Sequence, residues 1–266
     1  PENNIVTIQP DSLRILHNPL TGWVLYASMG VDAADFWAQY DHMYIPELGH
    51  NVSVTDYAHT LYIRASWTDF NPQEDVYGWK IDSNLRAYIE GAYQRNMRLA
   101  FRVVVDSRDK RTEFTPQFVK DAGAKGFMNK GKWSPYSDDS VFQKYYTKFV
   151  KALAKDFNDP SKVEFIDGFG LGKWGEYHTM IYSTGDDTPK KAVFDWVTDI
   201  YSQAFDKVPV VINYHRWIGA GKDWVDDEHF AVDSEEMLEE AIKKGYSLRH
   251  DAFGMTTYYG SWERRF

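Results

Sequence analysis

The chain has 266 residues, 43% apolar and 26% charged, with a formal net charge of -9 at pH 7. That composition excludes a disordered chain and argues against a general nucleic-acid surface. The absence of cysteine removes disulfides, thiolate metal ligands and thiol nucleophiles together.

Taken in chain order, Pro1-Glu2-Asn3-Asn4 has no basic stretch leading into an apolar run, so no signal peptide is visible and the start reads as trimmed. Gly22-Trp23-Val24-Leu25-Tyr26 reads as a first strand. Asn51-Val52-Ser53 matches a glycosylation sequon that chance supplies often, and it carries no weight. Thr60 to Trp67 is a second strand, followed by Ile81, Leu85, Tyr88, Ile89 and Ala92 at helical spacing, with Asp82 or Ser83 as N-cap. Leu99 to Asp106 is a β-branched run of the buried parallel type. After a loop-rich stretch from about Ser107 to Asp139, one helical face gathers Phe142, Tyr145, Tyr146, Phe149, Val150, Leu153 and Phe157. Val163 to Phe169 is a strand, and Val193, Trp196, Val197, Ile200 and Tyr201 form the next helical stripe. Val208 to Asn213 is a fifth strand. Ser234 is expected to cap a helix carrying Met237, Leu238, Ala241 and Ile242, which Gly245 stops. Ser247 to Gly254 is the sixth strand. No stretch approaches the roughly 18 apolar residues that a membrane span needs.

Strand and helix alternating in this way predict an α/β fold with parallel strands. A doubly wound sheet and a TIM (β/α)8-type barrel both fit six strand-helix units. Polar residues at the C-terminal ends of nearly every strand, and long loops after several strands, favour a single barrel domain over residues 1–266. Eight strands close such a barrel, so the expectation is either a fragment of a longer protein, lacking its C-terminal part, or a barrel that is incomplete.

The segment Asp167-Gly168-Phe169-Gly170-Leu171-Gly172-Lys173-Trp174-Gly175-Glu176-Tyr177-His178 carries the most chemistry. Its glycines allow close approach of a ligand, and a carboxyl between Trp174 and Tyr177 would be partly desolvated, as suits a general acid. Read structurally, the same stretch is a glycine bend with Glu176 paired to an arginine. Gly170, Gly172 and Gly175 have the spacing of a dinucleotide fingerprint, but they lie mid-chain before no clear helix, and Lys173 lacks the following Ser or Thr of a P-loop.

Arg64, Arg102 and Arg249 each lie inside a strand and need partners, for which Asp106, Glu176 and Asp251 are candidates. Asn213, His215 and Arg216 follow the fifth strand. Trp67, Trp174, Tyr214, Trp217, Tyr258 and Tyr259 are candidate stacking platforms, although each taken alone is as readily core packing. His178, His215 and His250 close three successive strands, which keeps a metal-dependent hydrolase as a lesser alternative. No His-Glu-x-x-His or Gly-x-Ser-x-Gly motif occurs.

Four pieces of the sequence resemble glycoside hydrolases built on (β/α)8 barrels, of the β-galactosidase-like, clan A-like kind. They are Asn18 to Trp23, Tyr62 to Trp67, Asp69 to Trp79 and Gly172 to Glu176. The third looks like the W-x-x-x-x-P-x-x-G-x-Y-x-W stretch that follows the second strand in such enzymes. The fourth lies where they place an acid/base glutamate. The resemblance implies a secreted, periplasmic or cell-surface enzyme that cleaves a poly- or oligosaccharide without a cofactor or a metal. Glu176 would be the acid/base, and the second carboxylate of a retaining mechanism would stand on a seventh strand. Asp251 is the catalytic candidate within this chain, and it or Glu263 could serve only by departing from that pattern. Arg64, Trp67, Arg102, Asp106, Lys173, Trp174, His178, Asn213, His215 and Arg249 are the expected substrate contacts. The alternative from another class is a carbohydrate-binding barrel that does not cut.

Overall fold

A computed structural model of the chain describes residues 22–250 apart from 28, 107, 109–111, 216 and 222–227, with the backbone alone given for 228–232. Asp251, Glu263, Arg216, Tyr258 and Tyr259 therefore lie outside the described residues, as do Asn18 to Thr21 and the end of the expected sixth strand.

Six strands form one sheet: β1 (Trp23–Tyr26), β2 (Ala58–Ser66), β3 (Arg98–Val104), β4 (Val163–Asp167), β5 (Val210–Asn213) and β6 (Tyr246–Arg249). Every neighbouring pair is parallel, and the order in the sheet is the order in the chain. A doubly wound sheet must reverse its order at a switch point. This one does not, and with crossovers of constant hand an unreversed order keeps all helices on one face. The fold is the α/β, TIM-type barrel architecture.

The helices follow suit. Between the strands run α1 (Ala33–Asp41), α2 (Ser83–Gln94), α3 (Ser140–Phe157), α4 (Lys190–Ala204) and α5 (Glu228–Lys243). In that series α1 packs on α2, α3 on α4, and α4 on α5. Along β2 the helix side takes Leu61, Ile63 and Ala65, and along β3 it takes Leu99, Phe101 and Val103, all within the main core. The intervening residues, Tyr62, Arg64, Ala100 and Arg102, face the concave side, as the two-residue period of a strand requires. The expected apolar stripes of α3 and α4 pack on the core, with Tyr145, Trp196 and Ile200 only partly buried, and Asp82 is the N-cap of α2, accepting from the Leu85 amide at 2.7 Å.

Several local expectations change. Ile81 belongs to a separate short helix, Gly78–Ile81, and is exposed. Trp67 does not end β2 but opens a one-turn helix, Trp67–Phe70, because Ser66 and Asp69 form a reciprocal capping box there. Ser234 is no N-cap. It lies inside α5, buried, and its hydroxyl accepts from the Ile218 amide at 3.0 Å, tying the loop after β5 to the helix. The stretch from Ser107 to Asp139 contains a hairpin, Gly126–Asn129 with Lys132–Pro135. A second hairpin, Met43–Ile45 with His50–Val52, follows α1.

The Asp69 to Trp79 motif is scaffold. Tyr77 stacks on Trp79 with centroids 4.8 Å apart, and the Trp79 indole donates to Asp156 on α3 at 2.8 Å. Asp75 stands where the resembled pattern carries glycine, and its backbone is left-handed at φ 60°.

The first crossover has two sensitive points. Gly91 on α2 lies against the Trp37 indole, so a Cβ there would meet Nε1 at 2.1 Å. Gly91→Ala should lower the free energy of unfolding by about 1–3 kcal/mol through overpacking, read from urea denaturation; an unchanged midpoint would contradict this packing. At the end of α1, the Arg95 guanidinium hydrogen-bonds the Asp41 carboxylate and lies 4.3 Å from the Trp37 ring centroid. That hydrogen bond holds the Asp41 carboxyl below its usual range, against a smaller opposing effect of burial. A group whose acidity is strengthened by folding stabilises above its unfolded pKa of about 3.9 and loses that contribution as pH falls through its folded value. The stability gap between wild type and Asp41→Asn should therefore be constant above about pH 5 and close below about pH 4 in urea titrations, with a gap that widens on acidification as the contrary result.

Candidate active site

Register sets the layers on the concave face. Tyr26 lies beside Tyr62, Tyr62 beside Ala100 and Ala100 beside Phe165, which makes a mainly aromatic floor. One period further along, Arg64 lies beside Arg102. Two guanidinium groups on adjacent strands repel, and the counter-charge comes from β4, two residues beyond Phe165. There the Asp167 carboxylate, with a side-chain exposure of 0%, accepts from Arg102 Nε at 3.0 Å and from Arg249 Nε at 2.7 Å. The Tyr62 hydroxyl donates to it as well. A buried carboxylate needs such a set of donors, since its desolvation is otherwise uncompensated.

Beyond β4 the chain enters a constrained loop. Buried tyrosine hydroxyls take its first carbonyls: Tyr246 donates to Gly168 at 2.7 Å, and Tyr146, which also hydrogen-bonds Tyr201, donates to Phe169 at 3.0 Å. Burial pushes the Tyr146, Tyr201 and Tyr246 hydroxyls above their ordinary value, so they remain protonated donors. Gly170 is left-handed, and a Cβ on it would meet the Val103 carbonyl at 2.4 Å. Trp174, Tyr177 and Thr179 also have positive φ, at 59°, 61° and 51°. Each such residue costs on the order of 1–3 kcal/mol, and this density of strain is characteristic of functional loops. The conformation is pinned by backbone hydrogen bonds from Tyr177 to Leu171, from Lys173 to His178 and from Gly219 to Tyr177.

This loop delivers Glu176. Its Oε1 accepts from Arg102 Nη1 at 2.8 Å, and its Oε2 lies 3.5 Å from His178 Nε2. The backbone is held too: His215 Nδ1 accepts from the Trp217 amide at 3.2 Å, which leaves Nε2 to donate to the Glu176 carbonyl at 2.8 Å. Arg102 thus bridges the buried Asp167 and the accessible Glu176, while Nη2 points to Asn213 Oδ1 at 3.4 Å.

Around Glu176 opens a cavity of about 510 Å3, lined by Arg64, Arg102 and Arg249, by Tyr26, Tyr62, Phe165 and Trp174, and by Val24. Trp174 is 37% exposed and Tyr26 51%, so two aromatic faces are available there. Arg64 closes one side by donating through Nη2 to the Trp174 carbonyl at 2.9 Å.

Of the residues singled out in the sequence, Arg64, Arg102, Trp174, Glu176 and Arg249 line this cavity. Asn213, His178 and His215 stand behind them, in contact with Arg102 or Glu176. Lys173 places its ammonium 4.2 Å from the Trp174 ring centroid, on the loop itself. Three expectations fail. Trp67 is 0% exposed and packs edge-on against Phe142 and Tyr146, so it cannot stack on a ligand. Asp106 turns away to chelate Arg108, next to Ser134, and is no partner of the strand arginines. Trp217 is likewise buried. The glycine spacing that resembled a nucleotide loop leads into a single 3-10 turn, Lys173–Gly175, with the next α-helix starting only at Lys190. Among the described residues, no three His, Asp or Glu side chains converge as a metal site would require.

The sequence reading missed Asp167, Tyr62, Tyr26 and Phe165. A signal existed: Tyr62 and Asp167 lie two residues from Arg64 and Phe165, and period-two alternation brings each such pair to one face.

No protein-family model matches the chain, and no curated protein matches it in sequence. Solved structures do resemble it. An endogalactoceramidase shares 12% identity at a TM-score of 0.48, covering 93% of this chain and 67% of that one. A mutant protein solved with xylotriose shares 13% at 0.47, covering 91% and 64%. An endo-1,4-beta-xylanase from Caldicellulosiruptor owensensis shares 13% at 0.42, covering 74% and 53%. The chain thus spans between about half and two thirds of the length of these proteins.

The Asp167 carboxylate is the keystone of the site. Asp167→Asn should cost about 3–5 kcal/mol, because it removes the buried carboxylate that Arg102 and Arg249 share; a loss under about 1 kcal/mol in urea denaturation would show that the network is dispensable.

Proposed function

We propose that this chain is the catalytic barrel of a glycoside hydrolase, acting on a poly- or oligosaccharide with Glu176 as general acid. One observation carries the reading: a carboxylate, flanked by exposed aromatic faces, stands in a cavity at the C-terminal ends of parallel strands. In this reading a sugar ring stacks on Trp174 or Tyr26, and Arg249 and Arg64 donate to its hydroxyls. Glu176 passes a proton to the glycosidic oxygen as the bond to the anomeric carbon breaks, and water supplies both the hydroxyl that this carbon gains and the proton that returns to Glu176. The Arg102 guanidinium on Oε1 then stabilises the carboxylate that remains. Asp167 serves this step indirectly, by holding Arg102 in place. Its enclosure and its three donors suit it to structure rather than to reaction. The enzyme would act outside the cytoplasm, where such polymers are met.

A carbohydrate-binding barrel without hydrolysis is the second reading. It is favoured by one feature: among the described residues, Glu176 is the single carboxylate lining the cavity, and it is ion-paired. Reducing-end release separates the two readings. Glu176→Gln should retain sugar binding within a few-fold and lose at least a hundredfold in turnover, about what removal of a general acid costs. An unaltered rate would remove Glu176 from the reaction, and ligand binding by the wild type with no release over long incubation would favour the binding barrel.

A further inference from the structure

We infer that His178 is a second catalytic residue of this site: it shares one proton with the Glu176 carboxyl and returns that proton between turnovers. This rests on the glycosidase reading above and deepens it.

Glu176 has two unlike oxygens. Oε1 accepts from the Arg102 guanidinium at 2.8 Å. A guanidinium only donates, so a proton carried by this carboxyl belongs on Oε2. Oε2 in turn lies 3.5 Å from His178 Nε2, an ion-pair distance rather than a closed hydrogen bond. Catalytic contacts are often this long before substrate binds, and they tighten in the complex. A carboxylate oxygen and a bare imidazole nitrogen both accept, so these two atoms close up only with a proton between them. That proton sits either on Oε2, facing a bare Nε2, or on Nε2, facing a carboxylate.

The loop fixes the imidazole for this contact. The Lys173 amide donates to the His178 carbonyl at 3.0 Å, which closes the backbone between them into a ring. Tyr177 and Thr179, on either side of His178, both have left-handed backbones, at φ 61° and 51°. Nδ1 lies 3.1 Å from the hydroxyl of half-buried Thr179, so Nε2 is the end turned to Glu176. The rings of Trp174 and His215 meet the imidazole edge-on, each with centroids 5.5 Å away. Other titratable and charged groups face it from several elements. Arg102 on β3 is bound to Glu176, and Arg108, after β3, donates to the Thr179 carbonyl and is paired with Asp106. His215 follows β5, and Lys173, on the same loop, turns its ammonium onto Trp174.

An imidazole both accepts and donates near neutral pH, which suits it to either state of Glu176. Once Glu176 has given its proton to the glycosidic oxygen, the imidazole takes up the proton that water releases. Nε2–H then faces the Oε2 carboxylate. The N–H bond breaks as the O–H bond forms, its electron pair stays on Nε2, and the acid is reset.

Nitrogen NMR on the histidine-labelled full chain tests the shared proton, with His178 identified as the signal that His178→Gln removes. Its titration midpoint should fall by about half a pH unit or more in Glu176→Gln, because loss of the carboxylate destabilises the imidazolium. An unmoved midpoint overturns the proposal and leaves the glycosidase reading to the Glu176→Gln rate. Turnover is compared on phenyl and 2,4-dinitrophenyl glycosides of the same sugar, with glucose, galactose, mannose and xylose in turn. Dinitrophenolate leaves without a proton and phenolate needs one, so His178→Gln should slow the phenyl glycoside at least about tenfold more than the dinitrophenyl one. The same variant should change the pH profile of the phenyl glycoside alone. An equal fall for both substrates would make His178 structural only and overturn the proposal. A wild type that cleaves none of these glycosides overturns the catalytic role of both residues, while the NMR titration still decides whether they share a proton.

Discussion

A single buried carboxylate organises the concave face of this sheet. Three strands contribute side chains that only become compatible through Asp167: Tyr62 from β2, Arg102 from β3 and Arg249 from β6. Without it, Arg102 and Arg249 would lose the buried carboxylate they share, and the layer above the aromatic floor would carry more positive charge. With it, Arg102 is fixed in orientation and has one nitrogen left over for Glu176. The Glu176 end of the site is therefore built on an ion pair that does not itself face the cavity.

The loop after β4 divides its labour in the same way. Its backbone is strained at three residues other than glycine and is pinned by its own hydrogen bonds, by tyrosine hydroxyls at its start and by His215 at Glu176. In the proposed reading such rigid presentation suits a carboxyl that moves a proton, because a small displacement of the group costs much of its effect. The two histidines near Glu176 fit this scheme. His215 holds the backbone, and His178 touches both the carboxylate and Thr179 while its ring meets Trp174 and His215 edge-on.

Aromatic residues in this chain serve three separate purposes. One set, including Trp67, Phe142, Tyr146 and Phe149, forms the packing between sheet and helices. A second, Tyr77 and Trp79, anchors the loop after β2 to α3. The third, Tyr26, Tyr62, Phe165 and Trp174, lines the cavity. Composition cannot separate these roles, since a Trp at the end of a strand reads alike whether it turns inward to a ligand or outward to a helix. Trp67 keeps the parity of Leu61, Ile63 and Ala65 and so continues into the core as the chain enters the helix that Ser66 and Asp69 cap.

By itself the sequence determined the alternation of parallel strands and helices, much of the helical faces, and the place of the glycine-rich segment that carries Glu176 after the fourth strand. These follow from short-range periodicity and from glycine chemistry, both of which are local. It also marked Arg64, Arg102, Glu176 and Arg249 as belonging together, because charges inside strands demand partners. Which partners they take was decided only by tertiary structure. Asp167 lies at least 65 residues in sequence from the arginines it binds, and Asp106, the nearer candidate, is satisfied by Arg108 two residues away. Strand order was decided there too: six alternating units fit either a reversed or an unreversed sheet, and only the register between strands, a long-range hydrogen-bond pattern, distinguishes them.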